Sequence, residues 1–274
     1  MPRKPSIIVG TDLATSERAL RRAGQIASAN DATIHVVHAT SKLPRALRAL
    51  VAEDAGSERG EREALASVSA QFRKAGLSAH AHLLYGSAAS SLRKKGLEID
   101  AALIVLGSRA RSSIDALVGS TAERVIEHKG PPVLIAREPG ARAYRNVFVA
   151  LASHSDVERS AAAARFVASG VEPSFVHVCN GSFETKLVLE GAGPAAIRSY
   201  RADVMREARR LMKSRVDERA LRIVYGATSR VLCELARRGT VLVLDRGDSK
   251  LSHALFGSVS RQVIEHTESD VVLV

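Results

Sequence analysis

The chain has 274 residues, 46% of them hydrophobic and 25% charged, which is material for two domains with separate cores. Its two cysteines, Cys179 and Cys233, stand in apolar surroundings outside any CxxC or Cys/His spacing, which excludes a disulfide framework and a structural zinc site. The net charge of +11 would draw polyanions at low salt. However, Arg and Lys alternate with Ala and Glu along helical stretches such as 18–22 and 206–210, and only 4% of residues are aromatic, so nucleic-acid recognition is set aside as the main function.

The opening MPRKPSIIVGTD carries basic residues but an apolar run of only a few positions. With no later stretch approaching membrane length, neither a signal peptide nor a membrane span is expected, and the localisation expected is cytoplasmic. Residues 6–11 form an apolar run without polar alternation, as in a strand buried on both faces of a parallel sheet, and it ends in Thr11 and Asp12. A helix follows over 16–30, with Ser16 as its expected cap and Ala19, Leu20, Ala23, Ile26 and Ala27 as its apolar stripe. Residues 33–39 are a second strand. The stretch 41–75 reads as polar and helical, interrupted near 54–60. A third strand, 78–85, alternates enough for a sheet edge. A helix over 88–96 and a buried strand over 101–106 come next. They lead to a Gly/Ser/Arg-rich loop over 107–118, a helix over 120–128 and a last strand over 133–136. Such alternation predicts an open parallel sheet with helices on both faces.

The pattern then restarts. Val125-Ile126-Glu127-His128 recurs as Val263-Ile264-Glu265-His266, and Gly119-Ser120 as Gly257-Ser258, each 138 positions on (125 to 263 and 119 to 257). The chain therefore reads as a tandem duplication, with domains over 1–139 and 145–274 and a polar linker over 140–145. Strands over 146–151 and 174–179 and a helix over 157–169 answer the first half. His38 and His177 recur at matching strand ends, which suggests a shared hydrogen-bonding or packing role, and Tyr85-Gly86 and Tyr225-Gly226 mark strand-end turns. His35 and His38 fall on opposite strand faces, and His80 and His82 lack an evident third ligand, so no metal site held by protein alone is read.

The loop feeding a helix directly after a buried strand presents backbone N–H groups at a helix start, the physics of a phosphate cradle. With IIVGTD, IHVVHA and LGSRARSSIDALVGSTAERVIEHKGPPVLIA in place, the chain resembles the universal stress protein family in its tandem two-domain form, once in each half. The resemblance implies two five-stranded α/β sheets of order 3-2-1-4-5 related as a pseudo-dimer, pairing through fifth strands within the chain or in a homodimer, and bound ATP in one branch of the family. In that strand order the ligand crevice lies between strands one and four, which Asp12 and Gly107 flank. The resemblance makes Thr11 and Asp12 the nucleoside end of the site and Ala39 the backbone contact to adenine. Gly107, Gly119, Ser120 and Thr121 become the phosphate and ribose cradle, with Arg109 near the phosphates and Mg²⁺ or Mn²⁺ carried in by them.

Two positions depart from the family pattern. Ala110 stands at the signature's second glycine, where a Cβ costs roughly 1 kcal/mol if the backbone is left-handed, and the loop from there to Gly119 is one residue short. In the second half Asp12 is answered by Ala152, Gly107 by Asp245 and Ala110 by Asp248, which removes a ribose acceptor and adds two charges that oppose phosphate. The expected function is therefore a regulatory stress-response protein holding ATP or a related adenine nucleotide in its N-terminal half. The alternative is a nucleotide-free adaptor acting through partners or another small ligand. No nucleophile elbow, Walker loop or kinase set is present and no residue to orient a hydrolytic water is identifiable, so no enzyme is expected beyond a slow ATPase.

Overall fold

The computed structural model describes residues 3–40, 54–108, 120–140, 142–181, 183–246 and 257–274. In chain order the first repeat gives β1 (Ser6–Gly10), α1 (Glu17–Asn30), β2 (Thr33–Thr40), α2 (Asp54–Lys74), β3 (Ala79–Tyr85), α3 (Ala88–Glu98), β4 (Leu103–Gly107), α4 (Ser120–Ile126) and β5 (Val133–Ala136). The second gives β6 (Asn146–Ala150), α5 (Val157–Val167), β7 (Ser174–Cys179), α6 (Glu184–Leu189), α7 (Pro194–Lys213), β8 (Leu221–Tyr225), α8 (Thr228–Leu235), β9 (Thr240–Leu244), α9 (Ser258–His266) and β10 (Asp270–Leu273). The chain divides into two compact units: unit 1 is Met1–Ala143 with Asp270–Leu273, and unit 2 is Tyr144–Ser269 with Val274.

In unit 1 the parallel strands run β3-β2-β1-β4-β5, the order the family resemblance implies, and β10 pairs antiparallel with β5, Val272 opposite Leu134. In unit 2 the order is β8-β7-β6-β9, again parallel. The strands without polar alternation are the central ones. Ile7, Ile8, Val9, Leu103 and Val105 are wholly buried, each worth about 1.5–3 kcal/mol in transfer terms, whereas alternating β3 lies at the sheet edge. On α1 the side chains of Ala19, Ala23, Ile26 and Ala27 turn inward, and so does Arg22, which the apolar stripe does not foretell.

Three sequence expectations change. First, the interruption near 54–60 is absent, because α2 runs unbroken from Asp54. The two glycines that suggested a break, Gly56 and Gly60, cost about 1 kcal/mol each in a helix. Against that, Glu58 pairs with Arg62 and Arg59 with Glu63 one turn on. Second, Ser16 does not cap α1; its hydroxyl turns back to accept the Asp12 N–H at 3.0 Å and donate to Asp12 Oδ1 at 2.7 Å. Third, Tyr85 and Tyr225 do more than mark turns. The Tyr85 hydroxyl donates to Glu58 at 2.5 Å, and the Tyr225 hydroxyl to Glu184 at 2.5 Å, each carboxylate also held by an arginine, Arg62 or Arg201. The first repeat thus clasps the end of its third strand to the helix that precedes it, α2, and the second ties β8 to α6, with Arg201 of α7 on the same carboxylate.

Candidate functional site

The C-terminal ends of β1 and β4 diverge because their crossovers leave in opposite directions, and a crevice opens there in unit 1. Thr11, Asp12, Ala39, Gly107 and Thr121 all line it, together with His38, around a volume of about 210 Å³. Ser120 begins α4 next to Thr121. Arg109, Ala110 and Gly119 lie outside the described residues, as does Asp248 of the second repeat.

Asp12 sits at the rim and is itself the hub of the β1–α1 loop. Its Oδ1 accepts the N–H groups of Ala14 at 3.0 Å and Thr15 at 2.8 Å and the Ser16 hydroxyl at 2.7 Å, while Oδ2 accepts the Thr15 hydroxyl. Partial burial of the carboxyl would raise its pKa, but these hydrogen bonds, led by those from Thr15, outweigh it and hold the group well below the ordinary carboxylate range. A carboxylate offers about four acceptor positions, so only one on Oδ2 remains for a ligand hydroxyl or amine. Thr15 is a site residue that the sequence reading misses; a Thr three residues after an Asp that closes a strand is the signal for it.

His38 is fixed in its tautomer. Its Nδ1 lies 2.8 Å from the Thr11 carbonyl, which only accepts, so Nδ1 carries a proton. Nε2 faces Glu61 of α2 at 3.7 Å. His177 repeats the contact on the Leu151 carbonyl at 2.8 Å. Gly10, also unremarked in the sequence, floors the crevice, where a Cβ would come within 2.7 Å of a Leu106 methyl. Gly107 is different: a Cβ there meets nothing closer than 3.9 Å, so its smallness leaves room on the crevice side.

The corresponding crevice of unit 2 encloses about 400 Å³. Ala152, Asp245, Gly257 and Ser258 line it, as their positions in the repeat require. In the β6–α5 loop Ser155 Oγ accepts the Ala152 N–H at 2.9 Å, and Asp156 caps α5 by accepting the Arg159 N–H at 3.0 Å. Arg215 supports the loop from outside, donating to the carbonyls of Ala152 at 3.1 Å, Ser153 at 2.8 Å and Ser155. Helix α9 is capped at Gly257, with Ser258 as its first helical residue.

The β2–β3 register supplies a neighbour that the sequence does not show for His80 and His82. His35 stands opposite His80, with ring centroids 5.4 Å apart, and its Nδ1 is 2.9 Å from His82 Nε2. Among the described residues no group of three His, Cys, Asp or Glu side chains could hold a metal ion. No helix among them is long and apolar enough to cross a membrane.

Residues 5–137 match the model of the Universal stress protein family. The first repeat is thus a universal stress protein domain. A universal stress protein from Archaeoglobus fulgidus DSM 4304 is similar over 98% of this chain and 95% of its own, with a TM-score of 0.65 at 20% identity. A putative universal stress protein from Pseudomonas aeruginosa UCBPP-PA14 covers 99% of this chain and 93% of its own, with a TM-score of 0.64 at 17% identity. These likenesses show the fold, and they extend it across both repeats. Universal stress protein G of Salmonella typhimurium is 39% identical over 56 residues. The match takes in 20% of this chain and 39% of that protein, so the chain spans well under half the length of the curated relative.

Proposed function

We propose that this chain is a regulatory stress-response protein of the cytoplasm whose unit 1 binds an adenine nucleotide. The carrying observation is the convergence of Thr11, Asp12, Ala39, Gly107 and Thr121, far apart in sequence, on one crevice at the topological switch point. A volume of 210 Å³ is below the usual range of about 300–1,000 Å³ for ligand pockets, which suits the nucleoside end of the ligand and leaves the phosphates to the 107–121 segment. Adenine would lie along the end of β2 at Ala39, and a ribose hydroxyl or the adenine amine would take the remaining Oδ2 position of Asp12. ATP is the proposed nucleotide, with Mg²⁺ or Mn²⁺ held through its phosphates. The role proposed is binding.

A second reading, a nucleotide-free adaptor, is favoured by the same Asp12, whose acceptor positions are largely taken by its own loop. The two separate on the full chain purified without added nucleotide. Denaturation should release close to one equivalent of adenine nucleotide, identified by mass spectrometry, and the emptied protein should give a saturable calorimetric signal with Mg-ATP. Gly107→Val is the matching variant. A Cβ there meets nothing closer than 3.9 Å, so the variant should stay folded and lose binding at least tenfold. Release of nothing together with a flat titration would establish the adaptor.

A further inference from the structure

A crevice that had merely lost its ligand would be expected to fill with side chains. That of unit 2 is about twice the size of its counterpart, 400 Å³ against 210 Å³, and falls inside the usual range for small-molecule sites. Its chemistry differs as well. Leu151 stands where Thr11 lines the first crevice, while Val176, Leu232 and Leu244 match its Val37, Leu92 and Leu106, and the carboxylate at the rim of the first crevice is replaced by Ala152. A carboxylate reappears on the opposite wall, where Asp245 stands in place of Gly107, with the Thr228 and Ser258 side chains nearby. The β6–α5 loop that frames the opening is fixed by the Ser155 and Arg215 hydrogen bonds, so this side of the crevice is held in place.

From this we infer that the crevice of unit 2 is a working binding site for a heterocycle of nucleoside size that carries N–H or O–H donors and no phosphate. Apolar walls bury the ring, Asp245 accepts from its donors, and the same charge repels a phosphate at the end of β9, where the first crevice would admit one. The two units would then hold ligands of opposite character: an anion in unit 1 and an uncharged or cationic ring in unit 2. The inference stands on unit 2 alone and does not require that unit 1 bind nucleotide.

The test is titration of the full chain with adenosine, guanosine and cytidine, each beside its 5′-monophosphate, by calorimetry and ligand-observed NMR. At least one nucleoside should bind saturably and lose at least tenfold in affinity on Leu232→Trp, which fills the cavity. Asp245→Asn, a near-isosteric change that guards against misfolding of the first variant, should raise the affinity of the matching monophosphate for this crevice by about tenfold. Nucleotide binding in unit 1 should be indifferent to both variants, so failure of one site does not obscure the other. If no nucleoside of the panel binds, or if binding is unmoved by both variants, the inference is overturned.

Discussion

Asp12 turns its carboxylate toward its own backbone before any ligand arrives. Asp12→Ala should therefore act first on stability: the N–H groups of Ala14 and Thr15 lose their acceptor, at about 1 kcal/mol for a lost helix-start cap, read as a lower urea midpoint at unchanged m-value. Because the folded carboxyl lies below its ordinary range, this contribution is present above the unfolded value and is lost as pH falls through the folded one. The histidines act in the same sense, in a higher pH window. Burial, with His82, His80, Lys95 and Arg3 nearby, pushes His35 down from 6.5 to about 4, and burial with Lys95 and His80 lowers His82. Between those two values the unfolded chain binds more protons at His35 than the folded one. Stability is thus full above pH 6.5 and declines as pH falls toward 4, by about 1–2 kcal/mol once solvent screening of a half-buried cluster is allowed for. His35→Asn should flatten that decline in a series of urea midpoints from pH 7 to 4, and an unchanged slope would show the cluster to be inert. Asp12 was legible as a crevice residue because it ends an apolar run, and Ala39 through the family resemblance; both line the crevice. The histidine cluster was not legible, since it depends on the β2–β3 register, which no local pattern encodes.

At the scale of elements, apolar runs sufficed for the buried strands, because a strand buried on both faces has no alternative reading once helices flank it, while their order came from the family resemblance. The long middle segment was harder. Glycine suggests a break locally, and the ion pairs that carry α2 through 54–60 outweigh it only when the whole helix packs on β3. Arg22 is the clearest case of an element-scale feature hidden in a stripe. On α1 it is 1% exposed, its Nε 2.7 Å from Asp270 Oδ2 and its Nη2 3.1 Å from Glu138. Asp270 Oδ1 also accepts the backbone N–H groups of Arg137 and Glu138, at 2.7 and 2.8 Å. The start of β10 is thereby fixed to the end of β5 by a buried charge pair. Asp270→Ala leaves the guanidinium buried without its closest anion and should cost about 3–5 kcal/mol, with amide protection lost first at Val271, Val272 and Leu273. The Arg22→Met, Asp270→Leu double variant should recover only the share due to the orphaned guanidinium, because it still removes the acceptor of the Arg137 and Glu138 N–H groups.

At the scale of the whole molecule, the compact units and the repeats do not coincide. Unit 1 takes its last strand from residues 270–273, on the far side of the entire second repeat, and Val274 returns to unit 2, where its N–H meets the Leu244 carbonyl at 3.0 Å. A chain cut at residue 143 therefore contains every element of the family-matched segment but not the strand that closes it. Its β5, wholly buried in the intact protein, would be an unpaired apolar edge of Val133, Leu134, Ile135 and Ala136, and Arg22 would lose Asp270. Such an edge recruits another strand. The fragment 1–143 should accordingly be recovered as a dimer or larger species by light scattering, and a peptide spanning 267–274 should shift it toward monomer in proportion to occupancy. The same peptide carrying Asp270→Ala should bind more weakly by at least tenfold, because the Arg22 contact and both backbone acceptances go with the carboxylate. A fragment that is monomeric and as stable as the full chain would mean that β10 is dispensable to unit 1, and that the buried pair at Asp270 serves only to choose which strand lies against β5.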